Sequence, residues 1–243
     1  METKINVVLA LMIVASFLIA IVLHEFAHAQ MATWLGDPTP RIEGRYTLRL
    51  RRHLDPLGTL LCLILAFMPV AFGPVGLGWG QPVKIDPWKL RGGRTSGPLL
   101  VALAGPVFNL LLGLIFALLA RLVYPLVSEN AILLRIPQLL MVFGCTNLAL
   151  TILNILPVYP LDGYQIVYIL LPTRQALQFA RSGPWGPLII LALFFLIPFA
   201  AEVARMPNFF LAHIPGYIRD GAFFLASLVT NLTTLNVEKI YTF

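Results

Sequence analysis

His24-Glu25-Phe26-Ala27-His28 carries the most specific chemistry in the chain. On a helix, two histidines four residues apart stand on one face, where both imidazoles can reach one zinc ion. Glu25 beside them can take a proton from a water that the metal polarises. A lone histidine on an apolar helix is commonly a hydrogen-bonded packing residue, but here two of the chain's four histidines flank a glutamate at ligand spacing. The pentad follows, without a break, the uncharged run from Ile5 to Leu23, which is long enough to cross a bilayer. Ionisable groups at that depth cost roughly 2.5–3.5 kcal/mol each on insertion scales, so they mark function. The pentad supplies two ligands, and a catalytic zinc site needs a third.

Asp162 is the candidate for it. It is the only acid between Glu129 and Glu202, and Pro157-Val158-Tyr159-Pro160 just before it prevents a continuous helix. Such a break lets a carboxylate reach sideways toward His24 and His28. Two imidazoles and a carboxylate leave a fourth zinc position open, the pattern of a catalytic site rather than a closed structural one. The structural alternative is a turn aspartate capping the next helix.

The elements that must position these groups are membrane helices. The 243 residues are 58% hydrophobic and 12% charged, with a mean hydropathy of +0.84, more apolar surface than a soluble domain of this size can hide. Seventeen Lys and Arg against 11 Asp and Glu give +6, which suits loops facing an anionic cytoplasmic leaflet. No basic stripe with interleaved aromatics and no phosphate-cradling glycine loop occurs, so nucleic acid is not an expected partner. Cys62 and Cys145 lie in separate apolar runs and read as packing residues.

The first apolar run outlasts a signal-peptide core, lacks a small-residue cleavage site and runs into the pentad, so it reads as a retained helix. Its pattern persists to Trp34 and stops at Gly36-Asp37-Pro38, which puts the site nearer one membrane face. Five arginines follow (Arg41, Arg45, Arg49, Arg51, Arg52), and Arg45 to Arg51 alternates with period two, predicting one arm of a β-hairpin to which an extended peptide could add, with a solvated basic loop as the equal alternative. Residues 57–78 are apolar but crowded with Pro69, Gly73, Pro74, Gly76 and Gly78, and basic residues flank both sides. A single crossing would send one basic cluster outward, so a re-entrant segment is expected. Further spans fall at 99–123, 139–156 and 188–201, with 209–232 a weaker candidate. The fold class expected is therefore an all-α polytopic membrane protein of about four to six transmembrane helices, with a small membrane-associated β-hairpin and a re-entrant segment. The chain reads as one domain over 1–243, with a zinc-site core at 5–172 and C-terminal helices at 185–236.

With these residues assembled, the chain resembles the site-2 protease family of intramembrane zinc metalloproteases, in particular short prokaryotic members without PDZ or regulatory domains. The resemblance rests on VLHEFAHA at 22–29, GDPTP at 36–40, RHLDPLGTL at 52–60, GWGQPV at 78–83, ALAGPVFNLLL at 102–112 and NILPVYPLDG at 154–163. It implies one zinc ion held by His24, His28 and Asp162, with Glu25 as general base. It also implies that Asn154 contacts the substrate backbone or the oxyanion, and that Asn109 is either a second polar contact or an amide bridging helices. The family pattern GWAKPV departs here to GWGQPV, with Gln81 in place of a lysine. His53 matches the short members and could line the site, though holding the hairpin to Asp55 is the role expected of it. His213 reads as structural.

The expected function is zinc-dependent cleavage of peptide bonds within or near transmembrane segments of membrane proteins, that is, regulated intramembrane proteolysis. Its partners are a transmembrane protein or peptide substrate and the lipid bilayer. The expected location is a prokaryotic cell membrane, with the active site nearer the cytoplasmic face. The alternatives are a membrane zinc transporter, which would need further ligands along a pathway, and a catalytically inactive relative that binds membrane proteins. A prenyl-protein endopeptidase would need a paired-glutamate pattern that is absent.

Overall fold

The structure is a computed structural model, and it describes residues 5–68, 74–127, 129–206 and 209–243. Helix α1 (Val7–Trp34) begins where the Asn6 side chain accepts a hydrogen bond from the Leu9 amide at 3.0 Å. It ends at Gly36, whose φ of +101° is a left-handed conformation that side chains disfavour. The other principal helices are α2 (Pro56–Ala66), α3 (Gly93–Val127), α4 (Arg135–Asn154) and α5 (Asp162–Leu170). A helical run, α6 (Thr173–Val203), follows, then α7 (Ile214–Thr230) and α8 (Thr234–Thr242). Four of these, α1, α3, α4 and α6, are long and apolar enough to cross a membrane. The all-helical class expected from the sequence is therefore observed, with the number of such helices among the described residues at the lower bound.

Helices α1, α3 and α4 surround a common core that includes Leu9, Ile13, Phe17, Met141, Leu148 and Leu153. Their order fixes what can meet. Helix α1 runs toward the pentad, α3 passes it in the opposite sense, and the Thr151 hydroxyl of α4 donates to the Pro106 carbonyl of α3 at 3.3 Å. The C-terminal helix α8 closes the core from the far side. There the buried Tyr241 hydroxyl donates to the Pro74 carbonyl at 3.2 Å, and its carbonyl accepts from the Gln138 amide at 3.1 Å.

The expected β-hairpin is corrected. Residues 45–51 form no strand. The Arg45 and Tyr46 amides both donate to the Pro40 carbonyl, and Leu50–Arg52 is a single 3-10 turn. Arg45 alone among these arginines turns inward to satisfy loop carbonyls, while Arg49 and Arg51 stay exposed. The Arg45 guanidinium, 7% exposed, donates to the carbonyls of Arg52 and Gln81 and to Gln81 Oε1. Tyr46 packs its ring on Phe26 and donates to Gln30. Sheet-like pairing among the described residues is one antiparallel bridge, Leu54 with Gly80, beside which the Gln81 amide donates to the His53 carbonyl at 2.7 Å. The link from His53 to Asp55 is likewise corrected. The His53 ring bonds the Thr47 carbonyl at 2.6 Å, while Asp55 caps α2 by accepting from the Leu57 and Gly58 amides.

Helix α2 is 11 residues long, about 16 Å at 1.5 Å per residue, roughly half of a hydrocarbon core. Pro69 and Gly73 lie outside the described residues, and from Pro74 to Gly80 the chain is buried throughout. A β-carbon on Gly58 would stand 2.7 Å from the Trp79 amide nitrogen, so both ends of this excursion lie at one level. The two basic clusters consequently share one end of the bundle. There the Arg91 amide donates to the Leu35 carbonyl, the Asp86 amide donates to Asp37, and Lys84 lies 3.5 Å from Glu43.

Candidate metal centre and its cavity

His24, His28 and Asp162 meet. Their potential ligand atoms all lie within 4.8 Å of one another, with His24 Nε2 2.9 Å from Asp162 Oδ2 and His28 Nε2 3.2 Å from Asp162 Oδ1. The two imidazole Nε2 atoms stand 3.1 Å apart. Helix α1 supplies both histidines from one face. The chain break ahead of α5 delivers Asp162 at the first residue of that helix, as the prolines and the isolated acid suggested.

This geometry fits a zinc ion on two grounds. A tetrahedral zinc with bonds of about 2.0–2.1 Å sets its donor atoms about 3.3 Å apart, close to the three separations observed. Proton bookkeeping agrees. The Val101 carbonyl can only accept, so at 2.7 Å it takes a proton from His28 Nδ1 and leaves the Nε2 lone pair facing the cluster. With both imidazoles neutral, their Nε2 atoms and the carboxylate at these distances suit one shared cation. Gly105 of α3 completes the cradle, since a β-carbon there would lie 2.6 Å from His24 Nε2.

Glu25 is 5% exposed, and its Oε2 has no hydrogen-bond partner. Its other oxygen faces Gly80, where a β-carbon would come within 2.7 Å. The carboxylate is thus held against backbone with one oxygen uncommitted. All four residues line a cavity of about 880 Å³ that also touches Asn154, Tyr159 and Gln165. Asn154 donates from Nδ2 to the Leu150 carbonyl at 3.0 Å. Asn109 is fully buried, is not among the cavity-lining residues, and neither of its amide atoms has a partner. Gln81 sits on the cavity wall and accepts from Arg45, filling the place where the family pattern has lysine. His53 lies behind Gly80, off the cavity lining.

Four contributors escaped the reading of the sequence. The Val101 carbonyl is backbone and leaves no residue signal. Arg45 stood out in no way from the four other arginines around it. Gly80 and Gly105 lay inside quoted motifs, and the close approach each makes appears only once the helices and the 74–80 segment are packed.

Comparison with known proteins points to zinc metalloproteases. Over 184 residues the chain is 34% identical to "Putative zinc metalloprotease YwhC" of Bacillus subtilis, covering 75% of this chain and 79% of that one. It is 33% identical over 194 residues to "Putative zinc metalloprotease Rip2" of Mycobacterium tuberculosis, covering 77% of this chain and 67% of that protein. No family model matches the chain, and no solved structure matches it. The chain belongs to the site-2 protease family of zinc metalloproteases, as these relatives do.

Proposed function

We propose that the chain is a zinc-dependent intramembrane endopeptidase that cuts peptide bonds within or near transmembrane segments of other membrane proteins. The observation that carries this reading is the convergence of His24, His28 and Asp162 in a cavity that also holds the uncommitted oxygen of Glu25. Bound there, zinc would lower the pKa of a water toward neutrality and polarise the carbonyl under attack.

The chain's own residues divide the remaining work. Glu25 takes the proton from the attacking water and passes it to the leaving amine, and its placement against Gly80 limits its swing. Val101 holds the His28 ring and its tautomer through the carbonyl bond to Nδ1. Asn154, on the cavity wall, bonds the substrate backbone. A transmembrane helix hides its peptide groups, so the substrate must unwind before attack. The wall formed by residues 81–85, rather than 45–51, lies beside the cavity and is where an unwound peptide would run.

Ten residues of α1 separate His24 from Trp34, about 15 Å of helix, so in a bilayer the centre lies below the surface marked by the basic end. Positive charge favours the cytoplasm for that end, in a prokaryotic cell membrane. The 57–78 excursion then enters and leaves from the same side. Among the described residues His24, His28 and Asp162 form the single converging cluster of this kind, which favours an enzyme over a transporter with a ligand pathway. The retention of Glu25 favours an enzyme over an inactive relative. The test is cleavage of a model transmembrane substrate in proteoliposomes. Glu25→Gln should lower the rate by about 10²–10⁴-fold while keeping its zinc. Undiminished cleavage by that variant would remove Glu25 from its role.

A further inference from the structure

The far end of the cavity has a charge pattern that the metal centre does not explain. Apart from the histidines, Glu25 and Asp162, the charged residues on its wall are Lys84 and Arg94, both cationic. Two rulers bound their distance from the centre. Gly80 abuts Glu25, and four residues of chain to Lys84 reach at most about 14 Å. Gly105 abuts the imidazoles, and Arg94 lies eleven residues back along the same helix, about 16 Å away. Between the two ends the wall is mostly apolar and aromatic, including Val83, Ile85, Val101, Tyr159 and Ile169.

Arg94 is further defined by its guanidinium carbon, which sits 3.8 Å above the centre of the Trp88 ring. Such stacking orients the guanidinium and leaves its edge free to accept a carboxylate in a fork. Lys84 has one acidic neighbour, Glu43 at 3.5 Å, but its side chain is 79% exposed and such a pair holds it weakly.

We propose that Lys84 and Arg94 form an anion subsite that selects substrates carrying an acidic residue four to five positions from the scissile bond, on the flank leading out of the membrane at the basic end. An extended peptide rises about 3.3 Å per residue, so four to five residues cover the distance from the centre to the cations. The apolar wall between accepts the intervening transmembrane side chains. This subsite rests on the endopeptidase reading given above.

The test uses the full chain in proteoliposomes and three transmembrane peptides that differ only at that position, bearing Glu, Gln or Lys, with kcat/KM as the readout. The order Glu above Gln above Lys is expected, with about three- to tenfold between the extremes and a smaller spread at high salt. Lys84→Gln with Arg94→Gln should level the three peptides, and Lys84→Glu with Arg94→Glu should reverse their order. Equal cleavage of all three by the unaltered chain, or an order unchanged in the reversed variant, overturns the subsite. The glutamine peptide reads the protease activity alone. Cleavage of that peptide without charge preference therefore overturns only the subsite, whereas failure to cut any of the three overturns the endopeptidase reading and the subsite with it.

Discussion

Gly105 on α3 approaches His24 on α1 so closely that a single added β-carbon would stand 2.6 Å from the imidazole Nε2. The contact ties the spacing of two apolar helices to the position of both histidine ligands. Gly105→Ala should therefore push α3 away from α1 or displace the imidazoles, at a cost of about 1–3 kcal/mol for overpacking. Zinc affinity should fall at least tenfold, read as metal retained after dialysis against a calibrated chelator. The helical circular-dichroism signal should remain. Full zinc retention would mean that the helices part without moving the ligands.

Arg45 makes a separate prediction, because it holds the Gln81 backbone behind Glu25 without approaching the metal ligands. Its fork bonds two carbonyls and one side-chain oxygen at once, which a lysine ammonium cannot match. Hydrogen bonds from a charged donor contribute about 1.5–3 kcal/mol. Arg45→Lys should accordingly lower kcat/KM about tenfold on a model transmembrane substrate and leave zinc content unchanged. A loss of zinc in step with activity would contradict this division of labour.

His53 supplies a pH dependence. Burial pushes its imidazole below the usual histidine range, opposed by the bond to the Thr47 carbonyl and reinforced by nearby Arg45. A folded pKa below the unfolded value near 6.5 means that the unfolded chain binds the proton more readily. Stability from this group is therefore present above about pH 6.5 and is lost as pH falls below it. His53→Gln should show a shallower decline in melting temperature than the unaltered protein between pH 7 and pH 5. Parallel declines would assign the acid sensitivity to other groups.

The meeting of His24, His28 and Asp162 was legible because each carries a local sign. The histidines have helical spacing, and the aspartate is the sole acid in a long apolar stretch just after two prolines. The four long apolar helices were legible for the same reason, since lipid demands continuous apolar runs. Residues 45–51 misled because a period-two pattern of residue types does not by itself make a strand, and here the loop buries Arg45 while residues 48–51 of both types stay exposed. The return of residues 74–80 against Gly58 and the carbonyl at Val101 belong to tertiary contact and backbone, where side-chain identity carries little information. Asn109 illustrates the limit from the other side. Its motif singled it out, and it lies buried away from the cavity lining.

The zinc content of the purified chain, compared with that of Asp162→Ala, tests the central claim most directly. One zinc per chain is expected for the unaltered protein, and less than about a tenth of that for the variant under the same chelator challenge, since two imidazoles alone make a weak site. Equal, stoichiometric zinc in both would contradict the assignment of Asp162 as the third ligand, and with it the catalytic centre described here.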